Sequence, residues 1–264
     1  KTKQLKKLVT PFILRRNKKE VLKELPDKIE QNMILPFSDE EEKIYVANLA
    51  KVNEELQQLY DIEGSDKMQI LKMLTRLRQL CLEPRLVYDN IDQPSSKLKA
   101  CMELIKTMQE NKQKVLLFSS FTSALDLIAE ECQKAGITYY MLTGSTNKEE
   151  RRELVSRFQK DDTTLFLISL KAGGTGLNLT SAENVIHYDP WWNVSAQNQA
   201  TDRAYRIGQK SNVQVFNLVM KDSVEEKIIE MQKRKKELAD MFVENNSGGL
   251  SQMSKEDILS LFTM

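Results

Sequence analysis

The feature that most limits the possible folds of this chain is an alternation of helical patterns with short apolar runs between residues 97 and 219. The apolar runs have the length of buried strands, and the segments between them carry helix-capping and helix-ending residues. Strands that alternate with helices pair in parallel and are covered by helices on both faces. We therefore predict an α/β fold. The predicted strands are residues 115–118, 138–142, 164–169, 184–188 and 213–219.

Helical patterns also flank this region on both sides. A helix from residue 38 to about 60 opens with the capping box Ser38-x-x-Glu41, and a second runs from about 66 to 82. A long helix from 223 to about 245 is expected to pack back on the core as a brace. The predicted division is a basic linker segment at 1–37, a helical protrusion at 38–94, the α/β lobe at 95–222, and a brace helix with a tail at 223–264.

The composition is that of a globular protein able to bury a substantial core. The 264 residues are 41% hydrophobic. The net charge is only +1, so the overall charge gives no indication of a nucleic-acid partner. Residues 1–28 carry ten basic and three acidic side chains, a local excess of seven. That patch could meet a polyanion, and solvated lysines are the alternative. No run of 18 apolar residues occurs, so we expect no membrane partner.

The cysteines and the start of the chain indicate its setting. Cys81, Cys101 and Cys132 are far apart and form no Cys-x-x-Cys pair, which argues against a disulfide framework or a zinc ribbon. We expect an intracellular location, in the cytoplasm, nucleoid or nucleus. Because the chain begins at Lys1 rather than methionine, we expect a piece of a longer protein. The single histidine, His187, lies in an apolar run and is expected to be a satisfied core residue.

Residues 199–209 contain two arginines, an aspartate and two glutamines and are predicted to form a short helix. At about 100° per residue, Gln199, Arg203 and Arg206 would fall within about 60° of one another on that helix. Two forked guanidinium groups that point the same way suit a polyphosphate better than a carboxylate. A solvated charged face is the alternative.

A glycine-rich turn at residues 170–179 follows the predicted strand 164–169. Such turns bring backbone N–H groups close to an anion, although glycines also serve simply to let a chain turn sharply. A dinucleotide fingerprint needs a third glycine where Leu179 stands, so an enzyme with a nucleotide cofactor is disfavoured. In parallel sheets, ligands collect beyond the carboxyl ends of the strands. The loops 118–122, 142–146 and 189–193 share that edge with the glycine turn.

Four stretches of the chain read as a set of motifs. They are Val115-Leu-Leu-Phe-Ser-Ser-Phe121, Leu142-Thr-Gly-Ser-Thr146, Ala172-Gly-Gly-Thr-Gly-Leu-Asn-Leu179 and Asp202-Arg-Ala-Tyr-Arg-Ile-Gly-Gln209. Together they resemble the helicase motifs of the second RecA-like lobe in the Swi/Snf family of DNA-translocating ATPases. Residues 11–16 and 25–28 resemble the segment that joins the two lobes, and residues 77–81 resemble a helix of the protrusion. The resemblance implies a RecA-like lobe with that protrusion and brace.

The resemblance also implies roles for individual residues. Arg203 and Arg206 are similar to arginines that reach across an interlobe cleft to the ATP phosphates, where an arginine finger contributes roughly 10³- to 10⁵-fold in rate. Trp192 resembles a tryptophan that probes the duplex groove. The implied ATP-binding residues are Gln199, Asp202, Gly174, Gly176 and Asn178. The implied DNA-binding residues are Ser119, Phe121, Thr143, Gly144, Ser145, Ser169, Lys171 and Trp192.

One motif set is absent from the sequence. No G-x-x-x-x-G-K-[ST] occurs and no acidic box follows a strand, so we expect no metal site in this piece. ATP and Mg²⁺ would then be held mainly by an N-terminal RecA-like lobe of the same parent chain. We expect that parent to be an ATP hydrolase that tracks on double-stranded DNA, and the isolated piece to be monomeric and inactive. The alternative is a non-enzymatic adaptor that keeps the fold and binds DNA or protein.

Overall fold

The computed structural model describes residues 26–60, 67–173 and 176–241. Within these residues six strands form one sheet in which all paired neighbours are parallel. The strands are β1 (Lys28–Leu35), β2 (Val115–Ser119), β3 (Tyr139–Leu142), β4 (Leu165–Ser169), β5 (Asn184–His187) and β6 (Val213–Met220). Their order across the sheet is β1-β6-β5-β2-β4-β3.

The helices that begin at Asp39, Lys67 and Val224 agree in position with the predicted ones, whereas the residues 199–209 do not form the single helix that was predicted. The helices of the described residues are α1 (Asp39–Tyr60), α2 (Lys67–Leu82), α3 (Ser96–Glu110), α4 (Thr122–Lys134), α5 (Lys148–Lys160), α6 (Leu170–Gly173), α7 (Val194–Thr201) and α8 (Val224–Met241). A 3-10 turn at Pro84–Leu86 follows α2. The predicted end of the last helix near residue 245 lies outside the described residues.

Helices cover both faces of the sheet because its strand residues alternate between two apolar cores. On β2, Leu117 packs with residues of α3 and α4, whereas Leu116 and Phe118 pack on the opposite face with residues of α5 and α7. All five residues of β2 and of β4 are buried, as expected for parallel strands covered on both sides. The predicted α/β fold is therefore confirmed.

The sheet also contains a strand that the sequence analysis did not predict. β1 lies inside the segment 1–37, which was expected to be a linker, and pairs with β6 from Lys28 opposite Val213 to Leu35 opposite Met220. Its pattern is not that of a buried strand, since Ile29 and Ile34 are 55% and 46% exposed. An edge strand needs no continuous apolar run, and for this reason periodicity did not reveal it.

A third apolar core joins the predicted helical protrusion, which consists of α1 and α2 and is called the helical subdomain from here on, to the brace helix α8. It contains Leu49 and Val52 of α1, Leu74 and Leu77 of α2, and Ile228 of α8, all buried. The capping box of α1 is confirmed, because Ser38 N donates to Glu41 Oε2 at 2.8 Å and Glu41 N donates to Ser38 Oγ at 3.4 Å. The brace helix therefore packs mainly against α2 and not only on the sheet.

A fully buried ion pair ties α3 to the brace. Lys97 Nζ lies 2.7 Å from both carboxylate oxygens of Glu225, and both side chains are 0% exposed. Glu225 Oε2 also accepts from Met220 N at 2.9 Å, at the end of β6. Burial raises the pKa of Glu225, opposed by the charge and hydrogen bonds of Lys97. The pair joins α3, the last strand and the brace at one point.

The three cysteines are buried free thiols, and burial raises the pKa of Cys132 to about 12. In the described part of the chain, no helix combines the length and apolar character needed to cross a membrane. The same residues hold no group of three or more His, Cys, Asp or Glu side chains placed to bind a metal ion.

Candidate functional site

The predicted loops lie in a row along one edge of the sheet. β5, β2, β4 and β3 are successive neighbours, and all four point the same way, so the loops that follow them meet at the carboxyl edge. Ser119 at the end of β2 stands directly opposite Ser169 at the end of β4. We call these four segments, residues 119–121, 143–146, 169–178 and 189–193, the carboxyl-edge loops.

The glycine turn packs against residues 202–209, which we call the arginine segment. Leu179 N donates to Arg203 O at 3.0 Å, and Gln209 Nε2 donates to Ala182 O at 2.7 Å. Gly176 has φ +55°, a left-handed conformation that glycine adopts without strain. Two segments that are more than twenty residues apart in sequence are thus held side by side.

The prediction that residues 199–209 form one helix is wrong. The helix Val194–Thr201 ends there, with Asp202 at its C-cap, and the backbone of 202–208 forms turns. The Arg203 carbonyl accepts from Leu179 N instead of continuing a helical ladder. Gly208 has φ +101°, which no α-helix contains. Gln199, Arg203 and Arg206 therefore do not share a helix face.

A buried carboxamide holds these turns in place. Gln209, 7% exposed, donates from Nε2 to Ala182 O at 2.7 Å and to Ala204 O at 3.3 Å. Its Oε1 accepts from Lys210 N at 2.8 Å and from Ser211 N at 3.0 Å. Both donors and both lone pairs of the amide are used, so this side chain and the Leu179–Arg203 backbone bond together hold the arginine segment.

The arginine segment presents two guanidinium groups that differ in exposure. Arg203 is 9% exposed and Arg206 is exposed. Burial lowers the pKa of Arg203, as do the charges of Arg206 and Arg151, and Asp202 opposes the shift. Arg203 thus lies within electrostatic range of two other guanidinium groups, an arrangement that favours a bound anion. The described residues thus fit the phosphates of ATP, while they offer no carboxylate cluster for Mg²⁺.

Arg151 was missed by the sequence analysis. It lies on Lys148–Lys160, and its Nη2 donates to Ala172 O at the start of the glycine turn. Its Nε is buried and has no hydrogen-bond partner. The sequence signal was weak, because Arg151 belongs to a charged helix and nothing in the sequence distinguishes it from the neighbouring Arg152, which is exposed to solvent.

The other predicted ATP-binding residues are distributed around this segment. Gly176 and Asn178 are exposed, and the Asn178 carbonyl accepts from Gln159 Nε2 at 2.8 Å. Gln199 is exposed, and Asp202 is half-buried at the end of its helix. Gly174 lies outside the described residues. Their contacts with nucleotide stay predictions.

The predicted DNA-binding residues divide by exposure. Gly144, Ser145 and Lys171 are exposed, and Phe121 and Thr143 are half-buried. In contrast, Ser119 is 0%, Ser169 5% and Trp192 3% exposed. These three side chains do not lie on the surface, as direct DNA contact would require, and Trp191 is the more exposed of the two tryptophans.

The burial of these residues has a local cause. Ser119 Oγ donates to Asp189 Oδ1 at 2.7 Å and accepts from Phe121 N at 3.1 Å. Its hydroxyl group therefore stabilises the conformation of the loop after β2. Ser169 Oγ accepts from Ala172 N at 3.4 Å. Trp192 packs into the core that joins the helical subdomain to the brace. Asp189 is 4% exposed, and its role as an organiser of these loops was not predicted.

Comparison with known proteins assigns the chain to a family. The helicase conserved C-terminal domain matches residues 96–208, and the SNF2-related domain matches residues 1–86. An uncharacterized ATP-dependent helicase of Mycoplasma pneumoniae is 37% identical over 254 residues, which are 96% of this chain and 24% of that protein. The chain belongs to the Swi/Snf family. It spans about a quarter of the length of the curated relatives that it matches.

Solved structures of Swi/Snf proteins share the fold. The C-terminal part of the Fun30 ATPase domain has a TM-score of 0.73 and 25% identity, covering 90% of this chain and 97% of that one. The Sulfolobus solfataricus SWI2/SNF2 ATPase core in complex with dsDNA has a TM-score of 0.72 and 32% identity, covering 98% of this chain and 55% of that one. The predicted RecA-like fold of this Swi/Snf chain is confirmed.

Proposed function

We propose that this chain is the second motor lobe of an ATP-dependent translocase on double-stranded DNA. In this proposal ATP and Mg²⁺ are held mainly by an N-terminal RecA-like lobe of the same parent protein. Arg203 and Arg206 approach the phosphates from this lobe, and the carboxyl-edge loops face the DNA backbone. The relative described as an ATP-dependent helicase and the related core solved with dsDNA support both parts.

The observation that carries the proposal is the packing of the arginine segment on the glycine turn. Like charges are held together there although burial and the neighbouring arginines lower the pKa of Arg203, an arrangement that a bound polyanion would stabilise. Hydrolysis of ATP places developing negative charge on the phosphoryl oxygens. The exposed Arg206 can meet that charge with two parallel N–H donors, while Arg203 and Gln209 keep its backbone in place.

The proposed DNA surface consists of the carboxyl-edge loops, in which Lys171 and the residues 144–145 are exposed and Phe121 and Trp191 are half-buried. Lys171 supplies a positive charge, and the residues 144–145 expose backbone and hydroxyl groups of the kind that contact phosphate oxygens. Such contacts fix the position of a duplex without reading its sequence. We therefore expect binding that is non-specific and salt-sensitive.

Replacement of Arg206 by alanine in the full-length protein tests the ATPase role. DNA-stimulated ATP hydrolysis should fall by about 10³-fold, because one arginine finger contributes at least that much to the rate. Arg206→Lys should not restore activity, since a lysine lacks the planar fork. Arg152→Ala, an exposed arginine on Lys148–Lys160, is the matched control and should leave the rate unchanged.

Full activity of the Arg206→Ala protein would remove the proposed mechanism. DNA binding that is intact in a protein without any ATPase activity would favour the non-enzymatic adaptor. We also expect the 264-residue chain alone to hydrolyse ATP negligibly and to regain activity when the first lobe is supplied on the same chain.

A further inference from the structure

One guanidinium group connects the helical subdomain to two of the carboxyl-edge loops. Arg78 lies on α2, and its side chain is 6% exposed. Its Nη2 donates to Asp189 Oδ2 at 2.7 Å, to Ser120 Oγ at 2.9 Å and to Pro190 O at 3.3 Å. Ser120 follows β2, whereas Asp189 and Pro190 follow β5. A side chain from outside the sheet thus bonds to the loops of two neighbouring strands.

Three aromatic rings surround the same guanidinium group. Its central carbon lies 4.8 Å from the ring centroid of Phe121, 5.4 Å from that of Trp191 and 5.0 Å from that of Trp192. Phe121 belongs to the loop after β2, and both tryptophans belong to the loop after β5. The edges of a guanidinium donate hydrogen bonds while its faces attract rings, so an arginine can serve both sets of partners at once.

The partner carboxylate is itself fully engaged. Asp189 Oδ1 accepts from Ser119 Oγ at 2.7 Å and from Ser120 N at 2.9 Å. Its Oδ2 accepts from Arg78 Nη2 and from Ser120 Oγ. Each contact holds one of the two loops in a defined position, and Arg78 is the only one of these partners that comes from the helical subdomain.

We propose that Arg78 is a positioning residue for the DNA-facing loops after β2 and β5. It fixes the two loops relative to each other and to α2, so the aromatic side chains at this edge keep one arrangement. This inference rests on the proposed function, because only that function makes these loops DNA-facing. The loss of Arg78 would loosen Phe121, Trp191 and Trp192 together and weaken the grip on a duplex.

A second arginine on α2 provides the matched control. Arg76 Nε donates to Asn48 Oδ1 at 3.0 Å, and its Nη2 donates to Tyr88 OH at 3.1 Å. Its guanidinium carbon also lies 5.3 Å from the Tyr88 ring centroid. These contacts have the same chemistry as those of Arg78, but they remain among the helical subdomain and the turn that follows it. Arg76→Met should therefore cost packing without moving the loops.

Intrinsic fluorescence tests the positioning directly, because Trp191 and Trp192 are the only tryptophans of the 264-residue chain. The crystal structure of the C-terminal part of the Fun30 ATPase domain describes a piece of similar extent, 97% of which this chain covers, so the 264-residue chain is used as the sample. Without DNA, Arg78→Lys and Arg78→Met should show red-shifted emission and stronger acrylamide quenching, whereas Arg76→Met should match the wild type. Unchanged emission and quenching in Arg78→Lys would overturn the inference.

Duplex binding then tests the consequence. The affinity of the Arg78 variants for a short double-stranded DNA should fall about tenfold, equivalent to ~1.4 kcal/mol, and that of Arg76→Met should not. In the full-length protein, the DNA concentration for half-maximal ATPase should rise in the same proportion, with the maximal rate retained. Altered fluorescence with wild-type DNA affinity would also overturn the inference. A wild-type chain that binds no duplex would instead show the proposed function to be wrong.

Two further samples guard against misfolding. Arg78→Met leaves the buried Asp189 charge without its partner, so the double variant Arg78→Met/Asp189→Asn removes the charge from both sides. Circular dichroism and cooperative unfolding establish that each variant is folded before its fluorescence is compared. The double variant should show the same red shift and weakened DNA binding as Arg78→Lys, and wild-type behaviour in a folded double variant would contradict the proposal.

Discussion

His187 is a neutral residue at the centre of the sheet. It is 2% exposed and stacks on Phe118 with 5.7 Å between ring centroids, and its Nε2 lies 2.9 Å from Thr201 Oγ1. Burial lowers the pKa of His187 from 6.5 to about 4, although the charges of Glu30 and Asp189 oppose the shift. The expectation of a satisfied core histidine is confirmed.

This buried imidazole should make stability fall in mild acid. In the unfolded chain His187 binds a proton near pH 6.5, whereas in the folded chain it stays neutral down to about pH 4. Its contribution is therefore complete above pH 6.5 and is lost as the pH falls toward 4, by about 3 kcal/mol at most. Urea unfolding at pH 7 and pH 5 measures the loss. An equally steep pH dependence in His187→Gln would assign the effect to other groups.

The buried pair of Lys97 and Glu225 should be costly to break from one side only. Lys97→Met leaves a carboxylate in the core without its cation and should lower the free energy of unfolding by about 3 to 5 kcal/mol. The double variant Lys97→Met/Glu225→Gln should recover most of that loss, because the amide still accepts from Met220 N. Denaturant melts of the three proteins decide the point, and equal stability of single and double variants would contradict it.

At the scale of elements, one carboxylate serves the starts of two helices. Glu41 accepts from Ser38 N at 2.8 Å at the start of α1, and from Ser96 N at 2.8 Å and Ser96 Oγ at 2.5 Å at the start of α3. Glu41→Ala should therefore cost about 1 to 2 kcal/mol, the range of a lost helix cap. The control is Glu40→Ala, an exposed residue of the same turn that should change stability by less than about 0.5 kcal/mol. Thermal melts compare them, and equal losses would mean that Glu41 caps only locally.

The elements that the sequence predicted are those specified by neighbouring residues. Capping boxes and apolar periodicity located α1, α2 and five strands, since those signals lie within a few residues of what they specify. β1 and the turns at 202–208 depend on distant partners instead. β1 becomes a strand by pairing with β6, and Arg203 leaves the helix because its carbonyl bonds to Leu179 N.

The same distinction between local and distant contacts explains which parts of the candidate site could be predicted from the sequence. The motifs located the arginine segment and the carboxyl-edge loops correctly along the chain. They could not show that Ser119 and Trp192 are buried, because each is held by a partner that is distant in sequence. Asp189, which accepts from Ser119, lies 70 residues away from it, and Arg78, which packs on the Trp192 ring, lies more than 100 residues away from Trp192. Exposure at a loop is a property of the tertiary contacts rather than of the motif.

At the scale of the whole molecule, DNA binding should be governed by phosphate contacts along one edge of the sheet. The logarithm of the binding constant should fall with the logarithm of salt concentration by about 0.9 for each phosphate contact. Lys171→Ala should weaken binding and reduce that slope by about one contact. Lys160→Ala, an exposed lysine at the opposite edge of the sheet before β4, is the control. Titrations at several salt concentrations measure both, and identical slopes would exclude Lys171 from the contact surface.

The pairing of β1 with β6 also sets how the lobe responds to tension. The two strands run in the same direction over eight registered residues, and the chain enters at the amino end of β1 but leaves from the carboxyl end of β6. A pull between the segment before Lys28 and the segment after Met220 slides the strands along each other. The hydrogen bonds of the ladder then share the load instead of breaking one after another, so we expect this pair of strands to resist tension.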